Sequence, residues 1–342
     1  MNVMIGTAGA DFLAGLLKQL NEIHGLEDAD TIMGGHLSDL LFGGDGDDFI
    51  WGDSGDDTID GGQGYDLLFG SEGNDSITGG DDSDYVSGGR GDDVAVTGAG
   101  YDVVNGNSGN DRIDGGADMD FLFGASGDDT IAGGEGADDD YINGGSGDDV
   151  LIAGSGNDSY IGGSEFDTLD FSQIDGKVTV DLAKHSAIVI NQGAEYFANT
   201  DGIEKLVAGD GGMHAMGTSG NEVFVGGAGE DWFRGKGGAD EFTGGDGADT
   251  FTWLKKDVTD GAAADIVTDF EVGVDHLDLT DFVKGGQAFE KAVRLAQTDD
   301  GVMVQGNAKG VWVDVALLQG LDMQAVGDDQ HQMTLADLGL VM

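Results

Sequence analysis

A nine-residue phrase, GGDGDDFIW at residues 43–51, returns in variant form through most of the first half of the chain and constrains its fold more than any other feature. Seventeen units can be set out. They start at residues 6 and 25, run in register from 34 to 133, and resume at 144, 153 and 162 after a two-residue insertion in the unit beginning at Gly133. The sixth position is always aspartate: Asp11, Asp30, Asp39, Asp48, Asp57, Asp66, Asp75, Asp84, Asp93, Asp102, Asp111, Asp120, Asp129, Asp140, Asp149, Asp158 and Asp167. The eighth is apolar throughout, from Leu13 and Ile32 through Ile50, Leu68 and Ile113 to Leu169. A six-residue glycine-rich turn followed by three residues of strand makes half a coil. Two units make a full coil, so units eighteen residues apart should stack at ~4.8 Å. The eighth residue then points inward and the seventh and ninth outward, by the alternation of a strand. The expected fold is all-β: a parallel β-roll whose core is little more than one side chain per unit.

Glycines at positions one, two and four permit positive φ and close approach of neighbouring turns. Their carbonyls are expected to face the gap between turns, as at Gly43, Gly44, Gly46, Gly61, Gly62, Gly64, Gly144, Gly145 and Gly147. Each aspartate adds a carboxylate to the same gap. The result is a cage of hard oxygens. It suits Ca²⁺, with about six to eight oxygen ligands, better than Mg²⁺, which prefers a tight octahedron and keeps its waters. Thiolate metals have no ligand, because there is no cysteine.

Charge sharpens this reading. Asp and Glu number 67 against 14 Lys and Arg, a formal net charge of −53. A basic footprint for nucleic acid is absent. Such a charge opposes compaction by self-repulsion, yet apolar residues recur on schedule. Folding is therefore expected to depend on metal: each ion removes two charges and joins adjacent turns, so binding energy becomes folding energy. The chain has neither Cys nor Pro, which removes disulfides and slow prolyl isomerisation. Residues 12–17 (FLAGLL) are too short an apolar run for a secretory signal peptide and lack a basic lead. No stretch approaches the ~20 apolar residues of a membrane span. Export without an N-terminal signal is the expectation.

Along the chain, residues 1–33 read as degenerate repeats with a capping helix over 12–24, where Leu13, Leu16, Leu17, Leu20 and Ile23 share one helical face. Residues 34–170 form the long roll. Leu37, Asp82, Asp118 and Glu165 replace the position-four glycine in four units, whose turns should be strained. Residues 171–216 are a β-rich spacer in which 177–181 (KVTVD) and 187–191 (AIVIN) pair. A second, short roll occupies 217–252, with Glu222, Asp231, Asp240 and Asp249 at position six and Phe224, Phe233, Phe242 and Phe251 at position eight. Its glycines Gly244, Gly245 and Gly247 are further candidate carbonyl donors. Residues 253–342 form a β-rich cap with strand-like runs at 265–270, 275–282, 302–305 and 311–318.

These motifs resemble the RTX proteins exported by type I secretion, over nearly the whole chain. Residues 166–173, 178–183 and 202–209 are similar to the spacer between RTX blocks. Residues 244–282 resemble the C-terminal module of serralysin-type (peptidase M10) metalloproteases, and the DLGLVM ending at 337–342 is similar to that module's acidic-then-apolar tail. The resemblance implies a parallel β-roll, several bound Ca²⁺ ions, an extracellular or cell-surface destination and an uncleaved C-terminal signal read by type I secretion machinery. It implies no activity, since such modules accompany proteases, lipases, toxins, epimerases and adhesins.

The usual active sites are absent from the sequence. No His-Glu-x-x-His run exists, and the six histidines have no i,i+4 partner. No Gly-x-Ser-x-Gly occurs. A non-catalytic structural, adhesive or interaction module is the leading expectation. The alternatives are an auxiliary module of a secreted serralysin-like or other RTX enzyme system, or an enzyme with an unrecognised site. An eighteen-residue period adds one more feature. Phe49, Trp51, Leu67, Phe69, Tyr85, Phe121, Phe123 and Tyr141 all fall at outward positions of alternate units, giving one sheet an aromatic outer face. A bare patch of that size is unusual on a monomer. Cover by the 12–24 helix or by 171–208 is expected, with self-association, another protein or a carbohydrate surface as alternatives.

Overall fold

The computed structural model describes residues 1–134, 136–258, 261–283, 291–308 and 310–322. It is nearly all β and parallel, and its contacts divide into two units. The first takes Met1–Leu169 with Phe197–Ile203, the second Asp170–Tyr196 with the described residues from Glu204 onward.

In the first unit, strands eighteen residues apart stack in parallel. Phe49–Ser54 pairs with Leu67–Glu72, placing Ile50 opposite Leu68 and Trp51 opposite Phe69. Thr58–Gln63 does the same with Ser76–Asp81 on the other sheet. Alternate units thus build two sheets, and the eighth residues of both meet between them. Ile23, Ile32, Leu41, Ile50, Ile59, Leu68, Ile77 and Val86 are all essentially inaccessible. The insertion after Gly133 is absorbed in the turn, because Phe121 still faces Tyr141 and Ile131 still faces Leu151. Asp82, Asp118 and Glu165 adopt positive φ (70°, 73° and 88°), the strained left-handed region expected where they replace glycine. Leu37 does not.

Position-five side chains make a second, exposed ladder. Asp56 accepts a hydrogen bond from the Asn74 main-chain N–H, Asn74 from Asp92, Asp92 from Asn110, and Asn110 from Asp128, all at 2.8–3.0 Å. Acid and amide alternate from Asp56 to Asp128, and only at the next rung do two carboxylates stack, Asp148 on Asp128.

The capping helix does not form. Phe12–Ala14 and Asn21–Glu27 are strands, paired with Thr31–Gly35 and Leu40–Asp45. The reason lies in a hidden unit. Residues 16–24 (LLKQLNEIH) are an eighteenth nonapeptide, with Asn21 at position six and Ile23 at position eight. The sequence satisfies both a helical and a nine-residue period. A lone helix of about a dozen residues is marginal in water, whereas a rung gains main-chain hydrogen bonds along the edge of the roll.

The second unit begins with an antiparallel hairpin, Lys177–Asp181 with Ser186–Asn191, as the sequence suggested. One sheet then stacks Lys177–Asp181, Met213–Met216, Trp232–Arg234, Thr250–Thr252 and His276–Asp278. The other stacks Lys205–Val207, Val223–Val225, Glu241–Thr243 and Asp265–Val267. Phe224, Phe233, Phe242 and Phe251 fill the space between, with ring centroids 5.7–6.1 Å apart. An antiparallel meander, Val293–Gln297, Gly301–Ala308 and Val311–Gln319, follows. The proposed terminal signal at 337–342 lies outside the described residues.

Candidate calcium sites

The sixth-position residues form two unbroken rows in the long roll. Each aspartate turns one carboxylate oxygen toward the rung before it. The Asp30 main-chain N–H donates to Asp48 Oδ1 at 2.7 Å, and Asp48, Asp66 and Asp84 repeat the contact at 2.7–2.9 Å. The second row runs Asp39, Asp57, Asp75, Asp93, Asp111, Asp129, Asp149 and Asp167 in the same way. Across the insertion Asp120 donates to Asp140 and Asp140 to Asp158, so neither row breaks.

The other oxygen is the informative one. Oδ2 of Asp39, Asp48, Asp57, Asp66, Asp75, Asp84, Asp93, Asp102, Asp111, Asp120, Asp129 and Asp149 is buried and has no hydrogen-bond donor. The same holds for Asp30, and in the second roll for Glu222 Oε2 and Oδ2 of Asp240 and Asp249. Asp231 instead receives the Gly227 N–H at 3.1 Å. A buried oxygen left unpaired costs about 1–3 kcal/mol, and here the arrangement repeats rung after rung. Burial pushes Asp57, Asp66, Asp84, Asp93, Asp111 and Asp129 up to about 7, and Asp120 up to about 8, with facing carboxylates adding to the rise.

What surrounds each Oδ2 is main-chain oxygen. A Cβ added to Gly43 would collide with Asp48 Oδ2 and with the carbonyl of Gly61 on the next rung. Gly61 stands in the same relation to Asp66 and the Gly79 carbonyl, Gly124 to Asp129 and the Gly144 carbonyl, and Gly226 to Asp231 and the Gly244 carbonyl. Position-one glycine therefore leaves open a cradle lined by a carboxylate and a carbonyl from successive turns. The carbonyls of Gly44 and Gly46 point at the α-carbons of Gly62 and Gly64. Gly145, Gly147, Gly245 and Gly247 likewise pack beneath the carbonyls of the rung before. Among the described residues no three His, Cys, Asp or Glu side chains converge on one point. An ion between turns must therefore take much of its shell from main-chain carbonyls. That donor set is all oxygen, anionic and flexible in number, and it fits Ca²⁺.

Two row members escaped sequence reading. Asp265 Oδ1 accepts from the Asp240 N–H at 2.9 Å, and Asp275 Oδ1 from the Asp249 N–H at 3.1 Å, across 25 and 26 residues. The signal was an aspartate followed two residues later by an inward apolar side chain, Val267 and Leu277, both fully buried.

The aromatic face is present on one sheet. Phe49 contacts Phe69, Phe69 contacts Tyr85, and Phe121 and Phe123 both contact Tyr141, with centroids 5.5–6.1 Å apart. Leu67 lies half-buried between them, and Trp51 donates its indole N–H to Ser71 Oγ at 2.6 Å. Trp51 and Phe121 remain 39% and 40% exposed. The helix expected to cover this face is itself two rungs of the roll.

Compared with known families, the chain matches the RTX calcium-binding nonapeptide repeat at residues 37–68, 66–95, 87–122, 105–139, 136–169 and 216–251. These segments are RTX repeats, whose nonapeptides bind Ca²⁺. Comparison with curated proteins gives no match. No helix among the described residues is long and apolar enough to cross a membrane.

Proposed function

We propose that the protein is exported by type I secretion machinery, folds on Ca²⁺ outside the cell and acts as a non-catalytic structural, adhesive or interaction module. The observation that carries the reading is the pair of buried aspartate rows whose Oδ2 atoms face carbonyls and have no donor. At cytosolic calcium those rows repel and the long roll stays loose. Extracellular modules of this chemistry bind at ~10⁻⁴–10⁻³ M, so folding would follow export. The RTX repeats support an extracellular destination.

A calcium titration followed by circular dichroism and light scattering tests this reading. β-signal should appear in the millimolar range, and full β-structure in excess chelator would refute it. A chain ended before Asp265 should remain inside the cell while its long roll still folds with calcium. Secretion of that chain at normal levels would remove the C-terminal signal from the account. The likeness of 244–282 to serralysin-type modules supports a second reading, an auxiliary module of a secreted enzyme system. Pull-down from culture supernatant separates the two. For the aromatic face, Trp51→Ser with Phe123→Ser should dissociate an oligomer if the face joins copies. Unchanged assembly would favour a ligand or surface role.

A further inference from the structure

Position one is glycine throughout both rolls except at Thr97 and Ala153, and a third unit, whose position one is Gly15 opposite Gly34, departs instead at position six, where Asn21 replaces the acid. In those three units a neutral side-chain donor reaches the oxygens that elsewhere line the ion cradle. Asn21 takes the aspartate position of the unit 16–24 and is fully buried. Its Nδ2 lies 3.0 Å from the Gln19 carbonyl, 3.2 Å from the Gly34 carbonyl, 3.4 Å from the Leu16 carbonyl and 3.0 Å from Asp39 Oδ1. Its Oδ1 accepts from the Leu16 main-chain N–H at 3.0 Å and from Asn2 Nδ2 at 3.2 Å. Acceptors surround one end and donors the other, so the network fixes the amide orientation. A nitrogen ringed by four oxygens, one of them the position-one carbonyl of Gly34, stands where an ordinary rung leaves its cradle open.

The other two exceptions reach the same end differently. Tyr160 occupies the inward position of the unit 153–161, where neighbouring rungs carry aliphatic side chains. Its hydroxyl donates to Asp158 Oδ2 at 2.7 Å and accepts from the Gly154 N–H at 2.9 Å. Asp158 accordingly lacks the unpaired oxygen of the interior aspartates. Thr97 places its side chain in the cradle itself, where its hydroxyl donates to the Gly115 carbonyl at 2.7 Å and its bulk blocks the space beside Asp102 Oδ2, which keeps no donor.

We propose that the rungs 16–24, 97–105 and 153–161 carry no calcium, and that Asn21, Thr97 and Tyr160 close them with hydrogen bonds in the ion's place. The proposal rests on the calcium reading of the remaining rungs. An amide N–H or a hydroxyl donates to a carboxylate or carbonyl oxygen, and its partly positive hydrogen excludes a cation from the same point. Two of the closed rungs lie at row ends, beside Asp39 and after Asp140. They hold the terminal coils in register at calcium levels too low to fill the interior. The third divides one row into two separate runs of ions.

The test counts calcium bound per full-length chain at saturation, by equilibrium dialysis with elemental analysis. Thr97→Gly opens the cradle and should add about one ion. So should Asn21→Asp, and the pair Ala153→Gly with Tyr160→Phe. Tyr160→Phe alone should leave the count unchanged while lowering the thermal midpoint in saturating calcium. Asp57→Ala, in an ordinary rung, should lower the count. An unchanged count in Thr97→Gly and in the Ala153→Gly, Tyr160→Phe pair, or a reduced count in Tyr160→Phe, would overturn the proposal. A wild-type chain that binds no calcium at all would instead refute the reading of the other rungs, so the two failures are distinguishable.

Discussion

In the long roll the inward column runs Ile50, Ile59, Leu68, Ile77, Val86 and Ala95. In the second roll it runs Phe224, Phe233, Phe242 and Phe251. Both rolls use the same turn and the same acidic row, but they balance charge and core differently. The second unit recruits cations from its own sequence: Arg234 clasps Asp257 through two hydrogen bonds of 2.9 and 3.1 Å, and Lys236 reaches Asp181 at 3.3 Å. The Trp253 indole N–H donates to Asp265 Oδ2 at 2.6 Å. The interior carboxylates of the long roll have main-chain partners on one oxygen and, in most rungs, none on the other. A thin aliphatic column with unneutralised rows must draw its counter-charge from solution. An aromatic core with built-in cations draws less of it.

Chelation should expose this difference most strongly. With calcium removed, main-chain amides of the interior rungs, 43–96 and 106–151, should exchange with solvent within the dead time, while those of 223–252 retain protection. Hydrogen exchange resolves such local opening. Equal loss in both rolls would mean that the phenylalanine core contributes no independent stability.

Next in size come core truncations in saturating calcium. Phe242→Ala should destabilise the second roll by about 3–5 kcal/mol, and Ile77→Val the long roll by about 0.5–1.5 kcal/mol. Denaturant midpoints check both. A larger effect from Ile77→Val would show that single rungs of the long roll have no slack, and the contrast between cores would fail.

Protons provide a finer comparison. Burial raises the row carboxyls of both rolls alike: Asp57 to about 7 and Asp120 to about 8 in the long roll, Asp249 to about 7 and Asp240 to about 8 in the second. A raised carboxyl pKa means that the folded, calcium-free roll binds more protons than the unfolded chain between about pH 4 and pH 7. Its stability therefore falls as pH rises through that window. Calcium must displace those protons, so apparent calcium affinity should fall as pH drops below about 7, and by a similar slope per ion in the two rolls. Calcium midpoints measured at several pH values test the sign. Tighter binding in acid would contradict it.

The smallest effect concerns the exposed ladder. Asn110→Asp would stack carboxylates at Asp92, residue 110 and Asp128, and should lower the thermal midpoint slightly at low salt and not at high salt, because exposed charges are screened. A salt-independent loss would mean that the amide acts through geometry and not charge.

Much of this molecule was legible before any coordinates. Strict spacing of nine fixed the turn, the strand and the stacking distance of eighteen, because a side chain's face in a strand depends only on local alternation. The inward column and the two acidic rows followed directly. The N-terminal rungs did not, since LLKQLNEIH fits a helix as well as a nonapeptide, and only the open edge of the roll decides between them. Asp265 and Asp275 join their rows across loops whose length hides the period. Asn21, Thr97 and Tyr160 look like lapses in the consensus when read along the chain. Their role depends on what the folded turn places opposite them: carbonyls and a carboxylate of other rungs for Asn21 and Thr97, and the Asp158 carboxylate of its own turn for Tyr160. Sequence set which oxygens would be buried, and tertiary stacking set whether an ion, an amide or a hydroxyl would meet them.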